Sequence, residues 1–210
     1  MTLRSSLRSL RTQLIFPTLR DAISDAARAS RGFRVVEFSV QGNHLHLLVE
    51  ASSAFALSAG MRGLAIRIAR RVNQLLSRRG GFWADRWHGR ALTSPRAVRN
   101  ALIAVLNNRS TPGASPRKPI DPYSSAPYFR GFKEFADAAP ISSIKGLVPA
   151  ALTPPRTPPV VPPHTWLLRQ GWRQQRGALS VSEAPSEQTP AVPRALPPSA
   201  TSGRARSSAR

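Results

Sequence analysis

The chain has 210 residues, a net charge of +21 and no cysteine. That length suits one ordinary domain with a long appendage, and the missing cysteine excludes a disulfide framework or a thiolate metal site, which fits a cytoplasmic setting. No apolar run reaches the ~18 residues needed to span a bilayer, and Met1-Thr2-Leu3-Arg4 opens no compact apolar block of the signal-peptide kind.

The prolines divide the chain. Eighteen of twenty lie after residue 110. Residues 1–110 carry 18 arginines, no lysine and five acids, and can fold compactly. The expected organisation is a folded domain over 1–110, a Pro-rich extension with aromatic islands over 111–175, and a disordered basic tail over 176–210, where little apolar surface offsets the ordering entropy.

In chain order, Leu3 reads as the remnant of a first edge strand; whether Met1 is the true start is open. Residues 18–30 read as a helix, with Leu19, Ile23, Ala26 and Ala27 on one face. Phe33–Val40 is rich in β-favouring residues, Gln41-Gly42-Asn43 is a turn signal, and Leu45–Glu50 returns as the second strand of a hairpin. Residues 55–77 form a long helix through Leu57, Met61, Leu64, Ile68, Val72 and Leu75, and Gly80-Gly81 should end it. Arg90–Leu92 is a short strand candidate. Ser94-Pro95 provides a cap and a first helical residue for a last helix to about Asn107. The series suits an α+β sandwich with helices packed on one face of an antiparallel sheet.

Beyond it, Asp121–Phe132 and His164–Arg173 are aromatic islands in proline-rich sequence, each able to pack back on the domain. Thr153–Pro159 should be extended.

A strand alternates faces with period two, so His44 and His46 point the same way and Leu45 points to the other. Two imidazoles on one face can chelate a divalent ion; a polar strand face is the plainer alternative. Arg62, Arg67, Arg70, Arg71 and Arg78 gather along the long helix, and no acid lies between Glu50 and Asp85. A solvated face mixes both signs, so this asymmetry favours phosphate contact. Trp83, Arg86 and Trp87 form an aromatic-basic cluster suited to stacking on unpaired bases, although a core-edge role is expected for one tryptophan. His88 and His164 read as surface histidines. The basic tail adds non-specific affinity for polyanions.

The stretch Phe38-Ser39-Val40-Gln41-Gly42-Asn43-His44-Leu45-His46-Leu47-Leu48-Val49-Glu50 resembles the core motif of bacterial single-tyrosine HUH transposases, notably the REP-associated branch. The likeness continues through 63–73, 82–88 and 95–102, and more weakly through both islands. It implies a ferredoxin-like fold, a Mg²⁺ or Mn²⁺ ion on His44 and His46, single-stranded or hairpin DNA as substrate, DNA nicking and joining, and a homodimer. It also implies a tyrosine nucleophile on the last helix, with a third metal ligand four residues on. Here the nucleophile position is Ala104, and the ligand position is Asn108, which could equally cap the helix. Tyr123 and Tyr128 are the only tyrosines in the chain, and nothing in the sequence aims either at the histidines. Two readings share this fold and ligand: a transposase, or a non-catalytic or domesticated DNA-binding protein derived from one. Ala104 divides them. An unrelated basic protein that binds nucleic acid, RNA included, is the third.

Overall fold

A computed structural model describes residues 1–29, 32–107, 120–135, 139–141, 148–174 and 176–184. Its centre is a three-stranded antiparallel sheet in the order β1-β3-β2, with β1 at Thr2–Arg4, β2 at Phe33–Gln41 and β3 at His44–Ala51. The expected hairpin is present, and Gly42 takes φ +48 in its two-residue turn. A bulge between Val35 and Glu37 sets two residues of β2 against one of β3.

A fourth segment completes the sheet. Thr2 bridges His88 and Ser5 bridges Trp83, both antiparallel, with reciprocal Thr2–His88 backbone bonds of 2.7 and 3.0 Å. Residues 83–88 thus line the free edge of β1 and give the β-α-β-β-α-β succession of a ferredoxin-like α+β fold. The strand candidate at Arg90–Leu92 is corrected: those residues have no regular structure. The pairing is set by where the edge of β1 lies, which local composition does not report.

The first helix, α1, spans Ile15–Ala29, and α2 spans Ala54–Leu75. Both pack on one face of the sheet. Leu3, Phe33, Val35, Phe38, Val40, Leu45 and Leu47 meet Phe16, Leu19 and Ile23 of α1 and Met61, Leu64, Ile68 and Val72 of α2 in a single core. The close fit is visible at Gly60, where a Cβ would fall 2.1 Å from the Phe33 ring. The end of α2 comes at Leu75, before the Gly80-Gly81 pair, and Ser77 takes the left-handed conformation at φ +49.

The third helix, α3, spans Pro95–Leu106. Ser94 caps it by accepting a hydrogen bond from the Ala97 N–H, with proline in the first turn as expected. This helix lies on the opposite face of the sheet, where Val98, Leu102, Ile103 and Leu106 form a second core with Leu48, Phe132, Trp172 and Leu179.

Both aromatic islands dock. The Val40 N–H donates to the Tyr123 carbonyl and the Ser125 N–H to the Phe38 carbonyl, each at 2.9 Å, so residues 123–125 cover the outer edge of β2. Arg11 forms a fork with the buried Asp121 carboxylate at 2.8 and 2.9 Å. Further along, the Val161 N–H donates to the Val35 carbonyl. Residues 176–184, which composition assigns to the tail, lie against α3, with Leu179 fully buried. The expected disorder over 185–210 falls outside the described residues, as does Asn108.

Arg99 holds this C-terminal strap. The residue is 4% exposed. It donates to both Glu183 carboxylate oxygens at 2.9 and 2.7 Å, and to the carbonyls of Trp172, Gly177 and Ala178. Partial burial raises the Glu183 carboxyl, but Arg99 and the Ser180 N–H outweigh it and hold the group below its ordinary value. Breaking a buried, hydrogen-bonded pair strands the remaining charge. Arg99→Ala should therefore destabilise the fold by about 3 kcal/mol in urea denaturation. Arg99→Lys should recover little, because an ammonium cannot form the fork.

Candidate nucleic-acid interface

The alternation of β3 decides what the site contains. Leu45 and Leu47 enter the core with α1 and α2, so His44, His46, Leu48 and Glu50 face the other way, toward the side of α3. His46 pairs with Thr2 on one side and Ser39 on the other; His44 pairs with Arg4 and Gln41. Across the sheet, His88, Thr2, His46, Ser39 and Ser124 form one cross-strand row. A reading of single segments missed His88 as part of this row, because only the edge pairing with β1 places it there.

The two imidazoles stack, with ring centroids 6.2 Å apart and planes 24° apart. His46 Nδ1 lies 3.2 Å from the Thr2 hydroxyl. Burial, with the neighbouring His44 and N-terminal ammonium, holds the His46 pKa below its ordinary value. In the tautomer whose Nδ1–H donates to the Thr2 hydroxyl, the neutral His46 ring keeps its Nε2 lone pair for a ligand. The pair thus fits a divalent ion. Among the described residues no group of three or more His, Cys, Asp or Glu side chains forms a fuller ligand set.

Ala104 lies on the exposed side of α3. Both tyrosines are engaged by other residues. Tyr123 packs edge-on against Phe16 of α1, at 4.9 Å, under the Arg11 guanidinium, on the opposite face of the sheet. Tyr128 donates its hydroxyl to the Pro155 carbonyl at 2.6 Å, and burial pushes its phenol above the ordinary range.

The arginines divide. The helix that carries Arg62, Arg67, Arg70 and Arg71 packs on the sheet face away from the histidines, so this stripe does not converge on them. Arg62 and Arg70 are exposed. Arg71 pairs with Asp25 at 2.6 Å, and Arg78 donates to the Ser6 hydroxyl and the Gly81 carbonyl. The Arg67 Nε is buried without a hydrogen-bond partner. In the loop, Trp83 is the core-edge tryptophan: its indole donates to the Ala65 carbonyl at 2.9 Å and its ring meets Phe82. Trp87 is half-buried beside the first core, and Arg86 is exposed.

Sequence reasoning also missed Glu37. It lies on the histidine face two residues before Ser39, buried, with its carboxylate accepting the Ser125 hydroxyl hydrogen bond. Burial pushes its carboxyl up to about 8, and the Ser125 hydrogen bond opposes this only in part. An acid inside an apolar-rich strand is the one sequence signal that could have found it.

Residues 8–94 match the family model described as transposase IS200 like. This supports the transposase family. The matched segment holds both histidines and the basic helix; it stops one residue short of α3 and covers less than half of the chain. No curated protein and no solved structure matches the chain. No helix among the described residues is long and apolar enough to cross a membrane.

The Glu37 environment has a pH signature. Its folded pKa lies above the ordinary value of 4.5, so the folded state holds a proton that the unfolded state releases. Its contribution to stability is complete below about 4.5 and is lost as pH rises through about 8. His46, with a lowered pKa, acts in the opposite direction and only up to its ordinary 6.5. The N-terminal ammonium, held below its ordinary 8.0 by burial, also opposes Glu37 in this window, so between about pH 7 and 8 the unfolding free energy of the wild type should fall relative to that of Glu37→Gln. Equal slopes for the two proteins would contradict the assignment.

Proposed function

Proceeding from the IS200-like transposase match over residues 8–94, we propose that this chain binds single-stranded or hairpin DNA and does not form the covalent intermediate of strand transfer. The observation that carries this reading is Ala104. By the resemblance to single-tyrosine HUH transposases Ala104 of α3 takes the nucleophile position, and it offers only a methyl group, while His44 and His46 lie side by side on the sheet face that α3 covers.

Nucleophilic strand cleavage needs an oxygen that attacks phosphorus and holds the 5′ end as a phosphodiester until rejoining. Ala104 supplies none. The engagement of Tyr123 with Phe16 and of Tyr128 with Pro155 argues against either as a substitute. What remains is recognition. A net charge of +21 attracts phosphates, Arg62, Arg70 and Arg86 are exposed, and the half-buried Trp87 offers part of a ring for stacking. Arg71 and Arg78, each already engaged by a neighbour, and the half-buried Arg67 support the same surface. Because α2 faces away from the histidines, a bound strand contacting both would pass around an edge of the sheet.

A Mg²⁺ or Mn²⁺ ion would be held by His44 and His46, with Asn108 as the proposed third ligand. When bound, the ion polarises a phosphate oxygen. His46 contributes a neutral ring oriented by Thr2. His44→Ala should weaken Mn²⁺ binding at least tenfold in titrations followed by electron paramagnetic resonance, in the manner of lost metal ligands. Unchanged affinity would make the pair purely structural.

The alternative of an active transposase is separated in one assay. Labelled hairpin oligonucleotide with Mn²⁺ should be retained in a native gel but leave no covalent adduct in a denaturing gel. An adduct overturns the non-catalytic reading, and its loss in Tyr123→Phe or Tyr128→Phe would identify the nucleophile. Ala104→Tyr should generate an adduct where wild type gives none; failure would mean that more than the nucleophile has been lost.

A further inference from the structure

The second island ends in a surface that lies beyond the matched segment. The Glu50 carboxylate accepts hydrogen bonds from the His164 and Thr165 N–H groups and the Thr165 hydroxyl, at 2.6 to 2.8 Å. This fixes the start of a short helix, α4, at Trp166–Arg169. Leu167 and Leu168 turn toward the core of α3, and Trp172 beyond them is 2% exposed. Trp166 turns the other way and is 51% exposed.

Its ring is supported. A Cβ on Gly171 would meet three Trp166 ring atoms at 2.8, 3.0 and 3.2 Å, so the indole lies directly on the Gly171 backbone. Arg169 and Arg173 follow at three and seven residues, and with Gln170 and Gln174 they line a shallow depression of about 590 Å³ beside the indole. No carboxylate belongs to its described lining. Arg173 stacks over Trp172 at 5.0 Å, which fixes the direction of its guanidinium. Arg169 and Arg173 also border a second hollow of about 530 Å³, walled by Tyr128 and Phe129 and reaching Glu37. A supported indole, two guanidiniums and two amides are the chemistry of a platform for an unpaired base and its flanking phosphates.

We propose that Trp166, Arg169 and Arg173 form a second single-stranded DNA contact, in which one unpaired base stacks on the Trp166 indole and the arginines hold the adjacent phosphates. This rests on the DNA-binding reading above. Charge complementarity favours a nucleic acid over a protein here: the platform is cationic and donor-rich, in a chain of net +21. Gly171 matters because any side chain there would lift the ring.

The test measures binding of the full chain to labelled oligothymidylate and to a duplex of equal length, by fluorescence anisotropy across a salt series. Trp166→Ala should weaken single-strand binding on the order of tenfold and leave duplex binding within about twofold, because stacking needs an open base face. Trp166→Phe should keep most of the affinity, and Gly171→Val should reproduce part of the Trp166→Ala loss. Arg169→Gln with Arg173→Gln should lower the slope of log affinity against log salt by about 1.4, two single-strand phosphate contacts' worth. Single-strand affinity unchanged in Trp166→Ala overturns the platform and leaves the DNA-binding function standing. Equal losses on single strand and duplex overturn it too, as a charge or folding effect. Failure of the wild type to bind either probe overturns the function and the platform together.

Discussion

The period-two alternation of the central strand governs the molecule. As the middle strand, β3 cannot send its side chains anywhere but to the two faces, and each face is buried by different partners. Leu45 and Leu47 define the face that α1 and α2 cover. Leu48 is then obliged to face α3, and His44 and His46 share its side. A one-residue slip would bury both histidines under the α1–α2 layer and expose two leucines. The register is therefore held by core burial, and the functional face follows from it without any interaction of its own.

The second constraint is the edge of β2. An uncovered strand edge leaves N–H and C=O groups unpaired and invites association. Here the chain covers its own edge with residues 123–125 and with Val161, using backbone bonds. Proline-rich sequence suits this task, since it is already extended and loses little entropy on docking. Polar anchors fix the crossing points: Arg11 with Asp121, Ser125 with Glu37, Glu50 with His164 and Thr165, and Arg99 with Glu183. Each joins the first half of the chain to the second, so α3 is enclosed between the sheet and its own C-terminal strap.

This explains what the sequence disclosed. Both hairpin strands, α2 and α3 were readable because their apolar periodicity and their caps, Ser94-Pro95 above all, are local. The pair His44 and His46 was readable for the same reason. The pairing of residues 83–88 with β1 was not, since an edge bridge depends on where another strand ends. His88 was missed with it. The packing of residues 176–184 was also hidden: Leu179 and Glu183 carry no periodic signal, and their order comes from Arg99, more than 70 residues away. Glu37 looked like one more acid until Ser125 and the first island enclosed it.

The same geometry changes what the arginine stripe means. On a helical wheel, Arg67, Arg70 and Arg71 form a stripe suited to phosphate contact. In three dimensions the sheet stands between this stripe and the histidines, and Asp25 already neutralises part of the stripe. On the histidine side, Arg4 is partly spent on Asp85 at 3.1 Å. If a nucleic-acid strand binds that face as proposed, it can also draw on cations from beyond the matched segment. The C-terminal extension brings Arg130, Arg169 and Arg173 to the hollow that reaches Glu37, two residues along β2 from the serine opposite His46. The extension thus works both as the cover that lets a small sheet keep its edge and α3 in place, and as a source of positive charge on the face where His44 and His46 lie.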